Sequence, residues 1–105
     1  MSDPVDEAFH QLRLEYLASL PARLEELRSD VASWQAGNPG ALSSLQVRLH
    51  RLAGSGGSYG FVQLSSLARD AEGWLTANDG VRETDELELI LSRLTEAARE
   101  AQRQI

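Results

Sequence analysis

Apolar residues in this chain recur at three- and four-residue intervals in one stretch after another, and no segment keeps a sustained period of two. That spacing fits one face of a helix and excludes a sheet-based fold. Val5, Phe9, Leu12 and Tyr16 form a first stripe. Ser19 and Pro21 then read as a fresh start, because proline is tolerated in a first helical turn. Leu20, Leu24, Leu27, Val31 and Trp34 follow, and "AGNPG" (Ala36 to Gly40) ends that run. Leu42, Leu45, Leu49 and Leu52 make the next stripe, which enters a glycine cluster. Leu64, Leu67, Ala68, Ala71 and Leu75 make another, closed by "ANDG" (Ala77 to Gly80). Thr84 suits an N-cap, with Asp85 and Glu86 in an acidic first turn. Leu87, Ile90, Leu91, Leu94, Ala98 and Ala101 complete the pattern. Short connections between consecutive helices favour antiparallel neighbours. The expected fold is all-α: an up-down-up-down four-helix bundle with a short leading N-terminal helix, forming one domain over residues 1–105.

Composition removes several functions. Cysteine is absent, so disulfides, thiolate metal sites and cysteine nucleophiles are excluded. All ten basic residues are arginine, which removes a lysine Schiff base and the lysine of a nucleotide-binding P-loop. A formal net charge of −6 argues against nucleic acid as a partner. No apolar run approaches the roughly 20 residues of a membrane span. The start "MSDPVDEAF" has no signal-peptide core, so a soluble cytoplasmic protein is expected.

The stretch "LHRLAGSGGSYGF" (Leu49 to Phe61) stands out, because glycine costs about 1 kcal/mol against alanine inside a helix. A phosphate-cradling loop does not fit: no strand precedes it, and Gly54, Gly56 and Gly60 miss the G-x-G-x-x-G spacing. At about 100° per residue, His50 lies roughly 120° from the centre of its stripe, and Gly54 and Gly57 project in nearly its direction. Two readings remain. The glycines allow close helix packing and a turn at Ser58-Tyr59-Gly60, or they leave a bare strip beside an exposed imidazole. Arg48 and Arg51 lie farther round the polar side and suit an anionic group.

"HRLAGSGGSYGFVQLSSLARDAE" (His50 to Glu72) resembles the signature of histidine phosphotransfer (HPt) domains: a histidine, a leucine two on, a Gly-Ser pair at four and five on, a glycine-closed turn and an amphipathic helix. "FHQLRLEYLASLPARLEELRSDV" is similar to the leading helices of that family. The resemblance implies a four-helix bundle in which His50 accepts a phosphoryl group from a receiver-domain aspartate and passes it to another. It further implies that Glu72 orients the imidazole, leaving Nε2 as the nucleophile. Gly54, Ser55, Gly57, Tyr59 and Phe61 would border the docking face. The family's lysine three residues after the histidine is Ala53 here, and Arg51 or Arg48 could substitute for it from a different angle.

The implied partners are response-regulator receiver domains and a hybrid histidine kinase, with no membrane contact and the protein acting as a monomer. It would need no cofactor of its own, since Mg²⁺ belongs to the receiver. It would be a phosphocarrier in a multistep relay, with no kinase activity. Two other readings fit the same residues: a helical adaptor carrying no phosphate, and the phosphoacceptor domain of a chemotaxis-type kinase. His10 reads as incidental. "LEELRSD" and "TDELEL" read as solvated faces, and Trp34 and Trp74 as core or core edge.

Overall fold

Asp3 opens the first helix by accepting a hydrogen bond from the Val5 N–H at 2.9 Å, and Pro4 occupies the first position, where its missing donor costs nothing. The computed structural model describes residues 3–78 and 85–103. They form four helices: α1 (Pro4–Gln35), α2 (Pro39–Ser58), α3 (Val62–Ala77) and α4 (Asp85–Arg103), with no strand among the described residues. Thr84, the expected N-cap of the last helix, lies outside the described residues. Both described connections close with the same device. After α1, Gly37 at φ 92° lets its own N–H reach the Trp34 carbonyl and the Asn38 N–H reach that of Ser33. After α2, Gly60 at φ 83° does this with Gly57, and Phe61 with Gly56. Both are Schellman closures, which need a left-handed residue and so favour glycine.

The separate leading helix is not there. Its stripe and the next belong to one continuous α1 of 32 residues, with Pro21 inside it. A proline at this place leaves the carbonyl four residues earlier without its helical donor. That carbonyl is Leu17's, and the Gln102 side-chain amide from α4 donates to it at 3.4 Å. The compensating donor comes from 85 positions away in the sequence, which is why Pro21 reads locally as a helix start.

α1 packs on α2 and α4, and α3 packs on the same two helices. Cross-helix pairs give the directions: Glu26 and Asp30 meet Arg48 while Tyr16 meets Ser55, so α1 and α2 run antiparallel. His50 with Glu72 and Ala53 with Ser65 do the same for α2 and α3. Leu20, Leu27, Leu45, Leu49, Leu64, Leu75, Leu87 and Leu94 are fully buried on the axis. Each contributes about 1.5–3 kcal/mol on burial. Trp34 is in this core and Trp74 packs against it. The start of α1 stays outside: Val5, Phe9 and Leu12 are exposed, and Tyr16 is the first residue of that stripe to be buried. No helix among the described residues is long and apolar enough to cross a membrane.

Candidate functional site

His50 sits at the middle of α2 with 77% of its side chain exposed. The inward side of α2 is taken by Leu45, Leu49, Leu52, Ala53 and Gly56, so the helix phase turns His50 outward. Its Nδ1 lies 3.1 Å from Glu72 Oε1 and 3.3 Å from Oε2. A carboxylate accepts but does not donate, so Nδ1 carries the hydrogen. The neutral ring then keeps its lone pair on Nε2, which is the nucleophilic form of imidazole.

The α2–α3 register that brings Glu72 to His50 is held two turns away. Ser65 lies seven residues before Glu72 on the same side of α3, and its hydroxyl donates to the Ala53 carbonyl at 2.6 Å. Ser65 is the buried polar side chain among the described residues. Its hydroxyl carries no motif that marks it locally as a register contact. The signal is its spacing, since seven residues from Glu72 is a two-turn repeat.

The four glycines near His50 do three different things. A Cβ on Gly54 would meet nothing within 4 Å, so the surface one turn beyond His50 is bare. A Cβ on Gly57 would lie 3.2 Å from Ser65 Oγ, and one on Gly56 3.4 Å from the Ser65 backbone nitrogen. These two let α3 approach α2. Gly60 supplies the positive φ of the turn.

The remaining candidates divide. Arg48 is engaged on the α1 flank by ion pairs to Glu26 and Asp30, the latter at 2.8 Å, with its Nε also 3.3 Å from Ser44 Oγ. Glu26 and Asp30 are therefore not simply a solvated face. Arg51 is exposed and lines a small cleft with Arg23, Glu26, Leu27 and Arg48, on the same flank. Ser55 is half-buried and tied to the Tyr16 hydroxyl at 2.8 Å. Tyr59 is also half-buried; its ring packs 4.8 Å from Tyr16, and its carbonyl accepts from Arg13 Nε at 2.9 Å. Phe61, expected on a docking face, is 6% exposed. It follows the left-handed Gly60, and the turn sends its ring inward onto α1. There it packs on Tyr16 beneath the Arg13 guanidinium. Burial pushes the Tyr16 hydroxyl above its ordinary pKa of 10.0, against the opposing pull of the Ser55 hydrogen bond and Arg23. His10 is exposed on α1.

This arrangement of exposed histidine, carboxylate and bare helix surface coincides with a family match: the Hpt domain model covers residues 11–103. The chain belongs to the Hpt domain family. Neither the curated proteins nor the solved structures compared with it gave a match. Family membership supports a histidine phosphotransfer role in two-component signalling, where Hpt domains interact with receiver domains and histidine kinases. The four-helix, strand-free architecture of the described residues agrees with it.

Proposed function

We propose that this Hpt protein carries a phosphoryl group on Nε2 of His50, between receiver aspartates in a multistep phosphorelay. One observation carries the reading: the His50 Nδ1 contact with Glu72 at 3.1 Å, on a ring otherwise open to solvent. The Nε2 lone pair attacks the phosphorus of a receiver's aspartyl phosphate. The bond from phosphorus to the carboxylate oxygen breaks, and the aspartate leaves with that electron pair. The imidazole becomes a cation that keeps its Nδ1 proton, and the Glu72 carboxylate stabilises it. No proton has to leave for the transfer, and the reverse sequence discharges the group onto a second receiver.

Phosphoryl transfer asks chiefly for in-line positioning and charge stabilisation. A receiver supplies the Mg²⁺ and its acidic pocket, so this chain needs no cofactor of its own. It presents a protruding nucleophile and a flat approach over Gly54. The test is phosphate labelling by a phosphorylated receiver. Wild-type protein is expected to gain acid-labile, base-stable phosphate, and His50→Gln to gain none while keeping its helicity and melting temperature. Equal labelling of that variant would overturn the proposal.

A further inference from the structure

A phosphoryl group on His50 adds a dianion beside the Glu72 carboxylate, so the site needs a cation that neither Arg48 nor Arg51 is placed to give. Arg48 is bound on the α1 flank by Glu26 and Asp30. Arg51 is one residue after His50, a spacing at which helix side chains do not face each other, and it lines the α1-side cleft. The geometry points to Arg69 of α3 as the phosphoryl-binding cation, reaching its group from the opposite helix across the bare surface of Gly54. This inference rests on His50 being the phosphate carrier.

Three observations support it. First, Arg69 lies between the two contacts that fix the α2–α3 register: four residues after Ser65, which touches Ala53 and Gly57, and three before Glu72, which touches His50. Antiparallel register therefore sets Arg69 opposite Ala53 and Gly54, about one turn along α2 from His50. At three- and four-residue spacing it shares the side of α3 that carries Ser65 and Glu72. Second, Gly54 leaves open the space a longer side chain would fill, with nothing within 4 Å of where its Cβ would be. A guanidinium on its flexible stem can lie over that gap. Third, Arg69 is exposed and uncommitted. Arg13, Arg23, Arg28, Arg48, Arg99 and Arg103 hold hydrogen bonds or ion pairs, whereas Arg69, like Arg51 and Arg93, holds none among the described residues. Of these three, Arg69 is the one whose register sets it opposite Gly54. It does not pair even with Glu72 on its own helix.

A planar guanidinium donates two parallel hydrogen bonds to phosphoryl oxygens. It would offset the charge that gathers on them as the bond to Nε2 forms. The residue three after His50, Ala53, is buried at 3% exposure and gives its carbonyl to Ser65. Charge for this site therefore has to come from another element.

The experiment charges the protein with phosphoramidate, which needs no partner: its P–N bond breaks, ammonia leaves and the phosphoryl group passes to His50. Wild type, Arg69→Ala, Arg69→Lys and Arg51→Ala are followed by ³¹P NMR, with thermal melts as the folding control. Arg69→Ala is expected to charge on the order of tenfold more slowly, a modest loss because the site is open to solvent. Arg69→Lys should recover part of the rate, and Arg51→Ala should match wild type. The phosphoryl resonance should also titrate at lower pH in wild type than in Arg69→Ala, a change that a purely structural role would not cause. An unchanged rate and titration in Arg69→Ala, or a loss confined to Arg51→Ala, would overturn the assignment while leaving His50 as carrier. Wild-type protein that never charges would overturn both.

Discussion

The two flanks of α2 carry similar residues to opposite ends. On the flank facing α1, polar groups are tied down: Arg48 to Glu26, Asp30 and Ser44, and Ser55 to the Tyr16 hydroxyl. On the flank facing α3, His50 has Glu72 on one side of its ring, and its next turn ends in the bare Gly54. Distance along the sequence does not separate these groups, since Arg48, His50, Gly54 and Ser55 lie within eight residues. Helix phase does. The α1 flank commits its polar groups to partners, and the α3 flank, held by Ser65 on the Ala53 carbonyl, leaves a nucleophile oriented but uncovered.

The contrast breaks most sharply at the glycines. Gly54→Phe places a large ring in the open space beside His50 and is expected to slow transfer from a receiver about a hundredfold by misplacing the approaching group. Stability should hold or rise slightly, because a helix-interior glycine costs roughly 0.5–1 kcal/mol relative to alanine and phenylalanine falls between the two. Stopped-flow transfer and thermal melts read the two effects separately. Glu72→Ala comes next. Losing the acceptor at Nδ1 is expected to cost about tenfold in charging rate, or ~1.4 kcal/mol, with the melting temperature changed little because the half-buried Glu72 carboxylate pairs with a His50 ring that is largely exposed.

Gly57→Ala tests the packing role instead. Its Cβ would press on Ser65 Oγ at 3.2 Å, and disturbing that buried hydroxyl should cost roughly 1 kcal/mol net of the gain in helix propensity. In a Ser65→Ala background the same change should no longer destabilise, which a denaturant double-mutant cycle can measure. On the tied flank, Arg48→Ala is expected to lose no more than about 1 kcal/mol of stability, as befits partly exposed ion pairs, and to leave transfer alone. An Arg48→Ala variant that folds normally yet transfers slowly would erase the distinction between the flanks.

The smallest effect concerns pH. The Tyr16 hydroxyl titrates above 10.0 in the fold because burial disfavours its anion. Its contribution to stability is therefore intact below pH 10 and declines as pH rises past the unfolded value towards the folded one. Tyr16→Phe should flatten that alkaline decline in a pH series of melts.

Much of this was legible in the chain. Stripes such as Leu42, Leu45, Leu49 and Leu52 place His50 on the outer side of its helix, and the spacing to Gly54 marks the bare turn. Glu72 was expected to orient the imidazole, and the fold brings the two into contact. What escaped depends on partners far away in sequence. Pro21 reads as a helix start until Gln102 is seen serving the Leu17 carbonyl. Arg48 reads as available until Glu26 and Asp30 of α1 are set against it. Phe61 follows a positive-φ glycine, and periodicity does not say which way that turn sends its ring. Gly57 and Gly54 look alike on a helical projection, yet only the position of Ser65 separates packing from access.

The central claim is that the Glu72 carboxylate holds the proton on Nδ1 and so makes Nε2 of His50 the atom that carries phosphate. Heteronuclear NMR of the imidazole after charging by a phosphorylated receiver tests it directly, since phosphorus coupling identifies the bonded nitrogen. Phosphate on Nε2, with Nδ1 protonated, is the expected result. Phosphate on Nδ1, or a His50 ring that stays unmodified while the protein is labelled elsewhere, would contradict it.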